Sequence, residues 1–161
     1  MLIIISSAFL AGLFTKYLDY RAELGKENFY TWVLVFLSSG LIAYLTYIFP
    51  DVMMGVILGV VIAGKTSNKM QIFNFLIPLS AFAYSIYSGN EPFLLLMGYT
   101  FLLSLMDEQD FPKFRGVRPM LPLGMIFVVA ITSDLYITLA TITLLSFDLG
   151  YIIGRKILEE S

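Results

Sequence analysis

The sequence predicts an all-α polytopic membrane protein: a single transmembrane domain over residues 1–161, a helical bundle of about seven spans with its N-terminus outside and its C-terminus cytoplasmic. Three observations predict it. Hydrophobic residues make up 58% of the chain against 14% charged, with a mean hydropathy of +0.84. Soluble domains carry about a quarter charged residues, and a small one cannot hide this much apolar surface in a core. Apolar stretches alternate with short polar breaks, and the basic residues fall in every second break, as the positive-inside rule requires of a chain that crosses repeatedly.

The first span, residues 1–18, opens on Met1-Leu2-Ile3-Ile4-Ile5 without a positive n-region, and no small-residue cleavage site follows. It is therefore expected to be a retained helix and not a signal peptide. The second covers 30–49 and the third 51–64, with Pro50-Asp51 supplying a helix start between them. The fourth covers 70–88 and the fifth 92–106, separated by the turn-forming run Gly89-Asn90-Glu91-Pro92. Arg118-Pro119 precedes the sixth, 119–133. The segment from Met120 to Gly154 is too long for one crossing of roughly 20 residues. It divides at Ser133-Asp134, which can cap a seventh span over 135–153. The third, fifth and sixth spans are short. About 14 helical residues reach only about 21 Å across a hydrocarbon core near 30 Å, so flanking residues, bilayer thinning or a cavity must make up the rest.

Charge sets the expected topology. The ten basic residues are Lys16, Arg21, Lys26, Lys65, Lys69, Lys113, Arg115, Arg118, Arg155 and Lys156, all at the end of span one or in the breaks after spans one, three, five and seven. The breaks after spans two, four and six carry only Asp51, Glu91 and Asp134. The expected location is the cell (plasma) membrane, with the lipid bilayer and its anionic headgroups as partners and no nucleic acid. Tyr17, Tyr20, Tyr30, Trp32, Tyr47 and Phe49 lie near span ends and read as an interfacial aromatic belt. The chain contains no Cys and no His. Disulfides, thiol nucleophiles, imidazole ligands and Ser-His-Asp triads are thereby excluded.

Asp148 is the leading candidate for chemistry. Seven residues before Arg155, it lies roughly 10 Å inside the end of its helix. An ionised carboxylate at such depth costs several kcal/mol unless it is paired or hydrated, so it tends to face an interior cavity. A structural aspartate bonded to a neighbouring helix is the alternative. Asp134, Thr138, Thr141, Asp148 and Arg155 share one face, with the Gly150–Gly154 step on a different face, Gly150 lying about 200° from Asp148, which makes span seven a candidate for the bundle centre. The alternative is that its threonines bond their own helix and its glycines only permit close packing. Gly55 and Gly59 form a second small-residue step, expected to pack within the protein. Gln71 and Asn74, on one face at the start of span four, could line the mouth of a site containing Asp148.

The loop from Asp107 to Pro119 is the densest charged segment. Asp107, Glu108 and Asp110 could hold Mg²⁺, while Arg115 and Arg118 could grip phosphate; a solvated, topogenic loop is the plainer reading. Gly59 to Thr66 satisfies the phosphate-loop spacing, but its intervening Val60, Val61, Ile62 and Ala63 belong to a membrane span, so it is rejected as a nucleotide site. Lys65 and Lys69 can instead reach lipid phosphates. Three functional classes follow. The first is a small transporter or membrane-complex subunit with a cytoplasm-facing polar site around Asp148. The second is a Mg²⁺-dependent enzyme acting on a phosphorylated lipid at the cytoplasmic face, with Asp107, Glu108 and Asp110 on the metal and Lys65, Arg115 and Arg118 on phosphate. The third is a structural subunit without a site of its own.

Overall fold

The computed structural model describes residues 1–25, 28–64, 69–109 and 119–159. Among them the chain forms seven helices: α1 (Leu2–Glu23), α2 (Phe29–Ile48), α3 (Pro50–Ile62), α4 (Lys69–Tyr87), α5 (Leu94–Glu108), α6 (Met120–Thr132) and α7 (Leu135–Glu159). Four of them, α1, α2, α4 and α7, are long and apolar enough to cross a membrane, while α3 and α6 are shorter apolar helices.

Local chemistry sets the breaks. The Asn28 Oδ1 accepts the Thr31 N–H at 2.9 Å, capping α2. Pro50 occupies the first turn of α3, where its missing N–H removes no helical bond. Between α6 and α7 the chain turns in two residues: Ser133 takes the left-handed conformation (φ 51°), and the Asp134 Oδ1 accepts the Ile137 N–H at 3.0 Å. The capping role expected of Ser133-Asp134 is thus carried by the aspartate.

Helices pair by parallel neighbours. α1 lies along α7, α2 along α4 and α3 along α5, and these are the three most extensive contacts in the bundle. Glycine permits two of them. A Cβ on Gly12 would overlap the Phe147 carbonyl oxygen, and one on Gly150 would overlap that of Phe9, so α1 and α7 approach backbone to backbone. Gly55 and Gly59 of α3 meet α5 at Met97, Thr100 and Ser104, the intramolecular packing expected of that step. The α2–α4 pair is held by the Ser39 hydroxyl donating to the Asn74 Oδ1 at 2.9 Å and by Tyr47 stacked on Tyr84.

Three expectations are corrected. The first helix does not end at residue 18, because α1 runs through Glu23 and carries Asp19 on its last turns. α7 is not the bundle centre. It packs closely on α1 and α6 only, and the hydroxyls of Thr138 and Thr141 bond carbonyls of their own helix. Phe49 is not an interfacial aromatic, being only 2% exposed in a core with Leu45, Val52, Met125 and Ala140.

Candidate functional site

One cavity of about 210 Å³ draws lining residues from all seven helices. Most of its lining comes from the C-terminal parts of α1, α3, α5 and α7 and the first turns of α4 and α6, so it lies toward the bundle end marked by Glu23. Deep in the bundle its wall is apolar: Ile42 from α2, Met53 and Ile57 from α3, Leu144 from α7. Toward Glu23 it is acidic, with Asp19, Glu23, Asp107, Glu108 and Asp148.

Asp19 is the best-anchored member. Its Oδ1 accepts the Gln71 amide at 3.1 Å and its Oδ2 the Tyr151 hydroxyl at 3.0 Å, so one carboxylate joins α1, α4 and α7. The Lys16 ammonium sits 5.1 Å from the centroid of the Tyr151 ring, a cation–π distance. Tyr151 follows Asp148 by one helical turn, so both side chains face the cavity. Thr15, Asp19 and Glu23, at intervals of four, form one stripe of α1 along the cavity wall.

Asp107 has a second duty. At 7% exposure, its Oδ1 accepts the Met120 N–H at 2.8 Å and its Oδ2 the Leu121 N–H at 2.7 Å. It therefore caps α6 from a neighbouring helix, satisfying two of the N–H groups that a helix start leaves open. Glu108, also 7% exposed, lines the cavity beside it. Among the described residues, no group of three Asp, Glu, His or Cys side chains is arranged to hold a metal ion.

The residues singled out from sequence divide accordingly. Asp148, Gln71, Asn74, Asp107 and Glu108 share the cavity wall, with Asn74 only 4% exposed and held by Ser39. Lys69 opens α4 as an exposed residue and does not line the cavity. Lys65, Asp110, Arg115 and Arg118 lie outside the described residues. Sequence reasoning missed Asp19, Glu23 and Tyr151. A signal was present, since Thr15, Asp19 and Glu23 fall on one helical face, but it was lost when the span was closed at its last strongly apolar residue.

No family model, curated protein or solved structure matches this chain.

Proposed function

We propose that the chain crosses the plasma membrane seven times, N-terminus outside and C-terminus cytoplasmic, and works as a small transporter or membrane-complex subunit. Its cavity handles a cation or proton through Asp148 and Asp19 and is entered from the cytoplasm. The observation carrying this reading is the cavity itself, to which every helix contributes and whose polar half gathers Asp19, Glu23, Asp107, Glu108 and Asp148. Carboxylates within a membrane bundle mark ion and proton paths because burying their charge is costly unless a cation, a shared proton, a polar partner or water offsets it. Sidedness is supported by the basic residues: Arg21, Lys69, Arg155 and Lys156 belong to the same bundle end as Glu23, and Asp51 and Asp134 to the other. The exposed Lys69 suits an anionic headgroup at that cytoplasmic edge. α3 and α6, at 13 residues each, cover about 20 Å and cross where the bilayer thins around them.

The test is thermal unfolding of the purified protein in lipid nanodiscs with Na⁺, K⁺, ammonium, Ca²⁺ or Mg²⁺, followed by flux in proteoliposomes. A ligand at about a hundred times its Kd stabilises the folded state by about 2.7 kcal/mol. One of these cations, or protons, is expected to stabilise and to move across the membrane, with both effects reduced in Asp148→Asn and Asp19→Asn and retained in Lys69→Gln. Absence of any cation-dependent shift together with absence of flux would overturn the reading.

A second reading is favoured by one observation. Asp107, Glu108 and Asp148 line the same cavity; no three carboxylates among the described residues are arranged around a metal ion, so a Mg²⁺-dependent enzyme acting on a phosphorylated lipid at the cytoplasmic face would hold the ion through one or two of them together with the lipid phosphate. It predicts stabilisation only when Mg²⁺ and a phosphate-bearing lipid are present together, and release of inorganic phosphate on incubation.

A further inference from the structure

At the bundle end away from Glu23 the cavity stops at Met53, two residues after Asp51. Beyond it lies a plug. Leu45, Phe49, Val52 and Ala140 are each no more than 2% exposed and fill the space between α2, α3 and α7. From Ile42, on the cavity wall, to Phe49 the α2 helix rises roughly 10 Å, about two turns. Over the plug, the Tyr136 hydroxyl donates to the Asp51 carboxylate, and the Tyr136 ring rests on Phe49 with centroids 5.3 Å apart. Asp51 is only 4% exposed and also accepts the Val52 N–H at 2.9 Å.

The placement of this contact matters more than its strength. α7 is fastened to α1 through Gly12 and Gly150, and α3 to α5 through Gly55 and Gly59. α3 and α7 themselves do not pack closely along their lengths, and they face each other across the cavity. Two closely packed parallel pairs thus stand on either side of a void, and Tyr136–Asp51 ties one to the other at the end where the void is closed. A short apolar plug under a polar clasp is the arrangement that a hinged separation of the pairs would open.

We propose that Tyr136, Asp51 and Phe49 form the outer gate of the cavity, closed in this structure and opened by tilting of the α1–α7 pair away from α3–α5. The proposal rests on the transporter reading and its sidedness, and it supplies the second access state that transport requires. Opening breaks the Tyr136–Asp51 hydrogen bond and the Tyr136–Phe49 ring contact, parts the plug and requires α6, which packs on both α5 and α7, to slide against one of them, while both glycine-packed pairs move as units.

The absence of Cys from the sequence makes the test direct. Met53→Cys places a sole thiol at the blind end of the cavity. Its reaction with a charged, membrane-impermeant methanethiosulfonate is followed from the outer side of proteoliposomes of known orientation. Adding Tyr136→Phe, which keeps the ring on Phe49 and removes only the hydroxyl, is expected to raise the outer-side labelling rate roughly three- to tenfold, the shift a single interhelical hydrogen bond supports. Asp51→Asn, a second variant, is expected to act in the same direction. A separate Glu23→Cys protein, its thiol at the exposed end of α1, tests the sidedness on which the gate depends and is expected to label from the cytoplasmic side. If it does so while neither clasp variant changes the outer-side rate at Met53→Cys, the gate is overturned and the sidedness stands; the transporter reading is decided separately by the cation and flux measurements above. If Glu23→Cys labels from the outer side, the sidedness is wrong and the proposal falls with it.

Discussion

Asp107 sits in the candidate site and also holds α6 in place, and the two roles can be separated by substitution. Asp107→Ala removes both acceptors of the Met120 and Leu121 amides, at 2.8 and 2.7 Å. Loss of an N-cap costs about 0.5–2 kcal/mol, and hydrogen bonds to a charged acceptor contribute about 1.5–3 kcal/mol each. These figures describe the same contacts and are not summed. With Asp107 and Leu121 each 7% exposed, little water reaches the freed amides, so the upper part of the range applies and the expected loss is about 2–3 kcal/mol. Asp107→Asn keeps one carbonyl acceptor and turns an NH₂ toward the other amide, for an expected loss of about 1–2 kcal/mol. The assay is SDS-induced unfolding of the detergent-solubilised protein, followed by fluorescence of Trp32, the single tryptophan, which packs edge-on against Phe73 at 5.6 Å. Amide exchange at Met120 and Leu121 reports the same event locally. A wild-type midpoint for Asp107→Ala, with no faster exchange at those two amides, would refute the capping argument and leave Asp107 to the cavity alone.

Two further outcomes are expected. Gly12→Ala, whose Cβ would lie 2.9 Å from the Phe147 carbonyl carbon, forces α1 and α7 apart and costs about 1–3 kcal/mol in the same SDS titration. Gly40→Ala, with open space around its Cβ, is neutral or stabilises by up to about 1 kcal/mol; equal midpoints for the two would contradict the close approach. Asn28→Ala, which removes the cap on the Thr31 amide, is expected to cost about 1 kcal/mol and to speed exchange in the first turn of α2, and unchanged exchange there would count against it.

The seven helices were legible in the sequence because each is an apolar run between residues that stop or start a helix for a stated reason, as at Pro50 and Ser133-Asp134. Their ends were less so. Hydropathy reports where lipid stops, whereas a helix continues while its backbone bonds do, and α1 and α7 therefore run on through Asp19 to Glu23 and through Arg155 to Glu159. Counting which break each residue adjoins put Asp148, Gln71, Asn74, Asp107 and Glu108 toward one end of the bundle, but it left open whether Asp148 meets the carboxylates of α5, because that depends on how the helices turn their faces. The partner of each glycine step did not follow. Gly150 announces that something comes close, but nothing near it in the chain says that Phe9 is what does. Phe49 was misjudged for a related reason. It adjoins a turn, where aromatic residues are usually wet, and residues remote in the chain, among them Met125, Tyr136 and Ala140, bury it.

The pairing of α1 with α7 also bears on how the protein is made. Asp19 and Tyr151 are separated by 132 residues. At about 5–20 residues per second, on the order of ten seconds pass between synthesis of the one and of the other. On the proposed membrane topology, the glycine-notched surface of α1 stands through that interval with its own partner not yet in existence, open to another helix of matching shape. The nascent chain therefore has a window in which α1 of one copy can be claimed by α7 of another. Completion of the cavity, to which the seventh helix brings Asp148, is the event that closes it.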